Sequence, residues 1–200
     1  LTTAAPPPVR QQSCSAQYLL QVPFHNPDRR IEVLSRLPEV ISGAAGDYEL
    51  FVRLVTMLLA GVPQARAAAV VAVANSPADA AEHFDEAHPV RILEGPLAEP
   101  AGEAATESVA VLHWDQRLAV GGDFQPSQGL IVEAVHARQS VLHVWRGADS
   151  PPADALGLND ECDWAFCTPV LGRACPGWGL YVAGRFGAER TPAPGSTPPA

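Results

Sequence analysis

The chain contains no lysine: all 13 of its basic residues are arginines, and the only adjacent pair is Arg29 and Arg30. Against 22 acidic residues they leave a net charge of −9. A surface that tracks phosphates is therefore absent, and nucleic acid is not an expected partner. Long apolar runs are missing too. The longest, Ala67 to Ala74, falls well short of the roughly 20 residues that span a bilayer, so no membrane partner is expected. Cysteine is sparse and uneven, with Cys14 alone near the start and Cys162, Cys167 and Cys175 close together. That pattern is unlike the dense framework of a secreted mini-domain and points to a reducing cytoplasm. The opening at Leu1 shows neither a charged n-region nor an apolar h-region, and without an initiator methionine it reads as a piece of something longer.

Proline is abundant instead, and its placement divides the chain. The 20 prolines gather at Pro6 to Pro8, between Asn75 and Thr106, at Pro151 and Pro152, and after Thr191, where β-branched and aromatic residues are few. Residues 1–27 read as a disordered linker, 28–186 as one domain interrupted by a long loop at 75–107, and 187–200 as a disordered Pro-rich tail.

Within the domain, Ile31, Leu34, Leu37 and Ile41 recur at helical spacing behind Asp28, with Pro38 as a kink or restart point. Asp47 is a second candidate N-cap. Glu49 follows it near the positive end of the helix dipole, and the helix carries Leu50, Phe51, Leu54, Val55, Leu58 and Leu59 to stops at Gly61 and Pro63. Ala67 to Ala74 reads as a strand covered on both faces because it holds no charge. Val90 to Leu93 is the one strand-like piece of the long loop. Val109 to Trp114 is a strand, Pro126 opens a helix ending near Arg138, and Val141 to Trp145 is a strand. Trp164 to Leu171 and Trp178 to Val182 form a hairpin whose turn holds Gly172, Pro176 and Gly177.

That hairpin resembles the closing strands of a GAF domain: Thr168, Pro169 and Val170 end one strand, and Gly179, Leu180, Tyr181 and Val182 follow the turn. The run of strand, loop, short helix, strand, loop and hairpin, with Arg138, Gln139, Ser140 and Val141 at the helix-to-strand step, is similar to a GAF core from Ile31 to Phe186. The segments Asp47 to Gly61, Leu112 to Asp115 and Gly122 to Gln128 resemble GAF modules of bacterial proteins that join a forkhead-associated domain to a class III nucleotide cyclase. The resemblance implies an α+β fold with a central antiparallel sheet of five or six strands, helices on one face and a loop-covered pocket on the other. It also implies a non-catalytic regulatory module and pairing of flanking helices into a homodimer, for which Ile31 to Ile41 are the candidate positions. Two family features are missing. The Asn-Lys-Phe-Asp-Glu signature of cyclic-nucleotide binders is absent, and Arg185 and Phe186 run into the Pro-rich tail where the family has a closing helix.

Candidate chemistry is thin. The gaps among Cys162, Cys167 and Cys175 do not suit zinc, and Cys167 in an apolar strand reads as a small hydrophobe. A thiol oxidoreductase of the GAF-fold free methionine sulfoxide reductase type, using Cys162, Cys167 and Cys175, is an alternative, although that family's cysteine motifs are lacking and Asp160, Glu161 and Asp163 disfavour a thiolate. A ligand-free dimerisation scaffold is another. The six histidines show no paired-ligand spacing, and no nucleophile elbow or phosphate loop occurs, so no catalytic residue, metal or cofactor is expected. Strand parity puts Trp164, Phe166 and Thr168 on one face, and Val141, His143 and Trp145 on one face of their own strand. His143, Trp145, Trp164, Phe166 and Thr168 are therefore the candidate walls of a ligand pocket, with the acidic stretch Asp149 to Asp163 as its cover.

Overall fold

The computed structural model describes residues 7–22, 27–74, 91–93, 108–117, 125–145, 162–173 and 175–186. Seven strands among them form a single sheet: β1 (Arg10–Cys14), β2 (Ala65–Ala74), β3 (Arg91–Leu93), β4 (Ser108–Gln116), β5 (Ser140–Val144), β6 (Trp164–Pro169) and β7 (Trp178–Gly184). Four helices accompany it: α1 (Ala16–Gln21), α2 (Pro27–Ser42), α3 (Asp47–Gly61) and α4 (Gln128–Ala137). The strand order is β1-β5-β6-β7-β2-β4-β3 and every pairing is antiparallel. The fold is α+β, as expected, with a wider sheet.

The extra width comes from the segment read as linker. Arg10–Cys14 pairs along β5, from Arg10 opposite Val144 to Cys14 opposite Ser140. Its polar sequence hid it, because four of its five residues face water or are only half-covered, and an edge strand is held by its backbone ladder more than by apolar burial. Ser15 then caps α1, its Oγ accepting from the Tyr18 N–H at 3.1 Å. Strand β3 coincides with the strand-like piece of the long loop, while the rest of that loop and the stretch 149–161 lie outside the described residues.

β2 is an interior strand, buried from Ala67 to Ala72, because a helix lies on each side of it. On one face α3 inserts Phe51, Val55 and Leu59 against Ala68, Val70, Ala72, Ala110, Leu112 and Val182. On the other, α4 lays Leu130, Ile131 and Ala134 on Ala67, Ala69, Val71, Val141, Ala165, Cys167, Tyr181 and Ala183. The expectation of helices on one face is thus corrected: both faces carry one. The reason is connectivity, since α4 leaves β4 and returns to β5 at the far side of the sheet by crossing the face that α3 does not occupy.

Local chemistry sets the boundaries. Helix α2 continues through Pro38 to Ser42 without a restart, a kink or a restart having been expected there, and Ser42 Oγ donates to the Pro38 carbonyl at 2.7 Å. The N-cap of helix α3 lies one residue earlier than expected, at Gly46, so that Asp47 is the helix's first residue. Glu49 reaches back to accept the Ala45 N–H at 2.8 Å and an Arg53 N–H at 2.5 Å. That backbone contact, seconded by Arg53, holds the Glu49 carboxyl below its ordinary value. In the β6–β7 turn Gly177 has φ +79°, and a Cβ there would sit 2.6 Å from the Val73 carbonyl oxygen, so glycine is required for both conformation and space.

Candidate functional site

The sheet face that α3 covers is only partly covered. Beyond α3, over β7, β6 and β5, lies an open cavity of about 330 Å³ walled by Leu58, Val62, Leu142, Trp164, Phe166, Thr168, Leu180 and Val182. Register explains the set. Leu142 stands opposite Phe166, Phe166 opposite Val182, and Thr168 opposite Leu180, and residues two apart on a strand share a face. The volume falls at the small end of ligand-pocket sizes.

The cavity has a fixed end and an open one. At the fixed end, Arg117 from the end of β4 donates to the carbonyls of Pro63 and Val62, each at 2.9 Å, and to that of Leu59. A cation on the last carbonyls of α3 suits the helix dipole and clamps the turn that carries Leu58 and Val62. Gly184 contributes by lacking a side chain: a Cβ there would lie 2.7 Å from Trp164 Cζ2 and collide with the Gln64 carbonyl, so the indole rests where any other residue would push it out. Near the other end, Ser140 Oγ and Thr168 Oγ1 form a hydrogen bond of 2.8 Å. Past that pair, a second cavity of about 250 Å³ is bounded by Ala16, Leu19 and Leu20 of α1, with Arg138, Ser140, Thr168, Pro169 and Leu171.

Of the five residues expected to share a pocket, Trp164, Phe166 and Thr168 do so. His143 and Trp145 do not; they are on the opposite face, beneath and beside α4. The sequence established the parity within each strand but not the register between them. His143 is opposite Ala165 and Val144 opposite Trp164, which puts Leu142 rather than His143 beside the aromatics. Leu58, Val62, Leu142, Leu180 and Val182 were missed as walls because apolar residues in confident elements read as core. The only legible signal was that Leu180 and Val182 share the parity of Trp178.

On the α4 side, His143 is 7 % exposed, meets Trp145 edge-on at 5.9 Å between ring centroids, and has Nε2 3.5 Å from Glu133 Oε2. Gln11 of β1 donates to the other Glu133 oxygen. Cys167 is fully buried there, and burial pushes its thiol up to about 12, which removes the thiolate a nucleophile needs. Tyr181 is buried nearby, its hydroxyl accepting the Ser127 N–H at 3.3 Å, and burial is the main cause of its raised pKa. His113, near the far edge of the sheet, meets Tyr48 edge-on at 5.3 Å, and burial lowers its pKa against the opposing influence of Asp115.

Among the described residues no three His, Cys, Asp or Glu side chains come together as a metal site, the four cysteines are free thiols, and no helix is long and apolar enough to cross a membrane. Among the described residues the first cavity offers an apolar wall, and the second adds Ser140, Thr168 and Arg138, an arrangement suited to binding. In comparison with known proteins, no family model, no curated protein and no solved structure matches this chain.

Proposed function

We propose that this chain is a non-catalytic, GAF-like sensor module of a cytoplasmic signalling protein, which controls an attached output domain, such as a nucleotide cyclase, by binding a small molecule in the cavity between α3 and β5–β7. The observation that carries the reading is the position of that cavity. Its end wall, Leu58 and Val62, belongs to the last turn of α3 and the residue after it, and α3 is the helix on which α2 rests. The link between the two helices is Gly43 to Gly46, where Arg53 of α3 reaches the Glu39 carbonyl at 3.5 Å. A ligand pressing on Leu58 and Val62 bears on α3, and through α3 on α2. It shifts that arrangement only by its differential affinity for the two states. The order of elements from β4 through α4, β5, β6 and β7 is the one the resemblance implies, and this also supports the reading.

Dimerisation has an observation of its own. Ile31 and Ile41 of α2 are 65 % and 59 % exposed, although each belongs to the helix's apolar stripe. Pairing of two α2 helices would cover them and give the sensor its output geometry.

The test is a thermal-shift screen of the chain against small metabolites, repeated on Leu142→Trp, which fills the cavity. A ligand that prefers the folded state raises Tm. The proposal expects at least one compound to do so for the unaltered chain and to lose its effect in the variant. A ligand indifferent to Leu142→Trp, or none across a broad set, overturns it.

A further inference from the structure

We infer that the cavity takes an apolar monocarboxylate, an acyl chain with one anionic head, lying along β6 with its tail against Trp164 and its carboxylate at Arg138. The inference deepens the sensor reading by naming its ligand class and rests on that reading. Its first ground is shape. The two cavities adjoin at Thr168, and a ligand lying along β6 would occupy both as one trough. It starts at Leu58 and Val62 beside Trp164 and ends at α1 and Arg138 beside Thr168. The strand from Trp164 to Thr168 advances about 13 Å at ~3.3 Å per residue, the length of roughly ten extended carbons at ~1.3 Å each for a ~1.5 Å bond.

Polarity is the second ground, because it changes along the trough in one direction. The Trp164 end is walled by Leu58, Val62, Phe166 and Val182 and offers no hydrogen bond, which excludes a charged or sugar-like group there. Midway stand Ser140 and Thr168. Whichever hydroxyl donates in their mutual bond, the other retains its hydrogen. At the far end is the Arg138 guanidinium, for which no carboxylate among the described residues serves as an ion-pair partner. The hydroxyl and the Arg138 guanidinium line the same second cavity and suit the two oxygens of one carboxylate, while the apolar wall suits an alkyl tail, as in a fatty-acid-like amphiphile.

Arg138 itself supplies the third ground. It is the C-cap of α4 with φ 52° and ψ 36°, and no other described non-glycine residue has positive φ. A left-handed cap favours glycine or asparagine, and an arginine there costs stability. The capping bonds from its N–H to the Ala134 and Val135 carbonyls are backbone bonds that glycine would make equally well. The side chain is what the position gains, and it borders the trough.

The experiment titrates sodium nonanoate and, separately, 1-nonanol into the chain, with tryptophan fluorescence as readout, since Trp164 lines the trough. It is repeated on Arg138→Gln, Arg138→Lys and Leu142→Trp. Arg138 is exposed, so its variants are expected to fold. The expected result is saturable binding of nonanoate, weakened roughly tenfold or more by Arg138→Gln as befits loss of a charged hydrogen bond and largely kept by Arg138→Lys. Nonanol should bind more weakly and ignore the Arg138 changes, and Leu142→Trp should remove both. Equal binding of the two probes, or nonanoate binding indifferent to Arg138→Gln, overturns the head-group assignment and leaves the sensor cavity standing. No nonanoate binding overturns the acyl-anion proposal, and the sensor reading then falls only if the metabolite screen is also empty.

Discussion

Strand β6 presents two unlike faces. Toward α4 it offers Ala165 and Cys167, both fully buried; toward the trough it offers Trp164, Phe166 and Thr168, all only half-covered. β7 repeats the contrast, with Gly179, Tyr181 and Ala183 on the α4 side, of which only Tyr181 is bulky, and Trp178, Leu180 and Val182 on the other. Small residues stand where a helix packs down on the strands, because close approach of a helix leaves no room for indole or phenyl rings. On β6 the large residues lie beyond α3 and must shelter the sheet themselves, whereas on β7 Trp178 meets Phe51 of α3 edge-on and Val182 is buried in the cluster that α3 covers. Burial along a strand is thus decided by what is laid over it, and the most apolar residues of this hairpin are not its most buried.

The sharpest way to break this comparison is to truncate one residue on each side. Ile131→Ala removes a fully buried side chain from under α4 and should cost about 2–5 kcal/mol. Phe166→Ala deletes a larger side chain that is already half in water and should cost less than half as much. Urea unfolding of both variants measures the ratio, and a Phe166→Ala loss equal to that of Ile131→Ala would mean that the trough is closed in solution.

Alkaline titration should show the next largest effect, again on the α4 side alone. Burial raises the Cys167 thiol from 9.0 to about 12, so the folded state holds a proton that the unfolded chain releases above pH 9. Stability is full below that pH and declines as pH rises toward the folded value, by roughly 2 kcal/mol at about pH 10.5. Tyr181, also raised by burial, adds to the decline above its ordinary value of 10.0. Cys167→Ala should flatten the early part of this curve. Alkylation by iodoacetamide at pH 8, followed by mass spectrometry, should label half-exposed Cys175 well before Cys167. Rapid labelling of Cys167 in the folded chain would instead revive the thiol-enzyme alternative.

How much of this was legible in the sequence follows the same division. Helix α3, strand β2 and the β6–β7 hairpin were readable because each combines an unbroken apolar period with clear stop signals, such as Gly61 with Pro63, and Gly177. β1 was not, since Arg10, Gln11, Gln12 and Ser13 carry no apolar alternation and pair through backbone alone. Only part of the site was legible, for a related reason. Parity along β6 identified Trp164, Phe166 and Thr168, whereas placing His143 beside them required the register of β5 on β6, a long-range fact that a one-residue shift inverts. Here the register puts Leu142 on their side.

Gly184 allows the trough end to be tested with smaller perturbation. Gly184→Ala sets a methyl group against the Gln64 carbonyl and Trp164 Cζ2, and should cost about 1–3 kcal/mol of strain and overpacking while shifting the tryptophan emission as the Trp164 ring is displaced. The mirror change on the covered side, Ala183→Gly, opens no clash and should leave the emission unmoved. If both variants shift it alike, Trp164 is not seated by the gap at position 184.

The smallest expected effect lies at the hydroxyl pair in the middle of the trough. Thr168→Val keeps the shape but leaves Ser140 Oγ, in a residue only 4 % exposed, without the 2.8 Å bond it shares with Thr168. Stranding a buried hydroxyl should cost about 1–2 kcal/mol, whereas removing both partners, as in Ser140→Ala with Thr168→Val, should come close to neutral. The unfolding free energies of the two singles and the double form a cycle whose coupling measures the bond itself. A coupling near zero would show that Thr168 is already solvated, which would make this part of the trough wet and shorten its apolar length to the Trp164 end. A clear coupling means the pair is sheltered from water and positioned to meet a ligand's polar group at the point where the apolar wall gives way to Arg138.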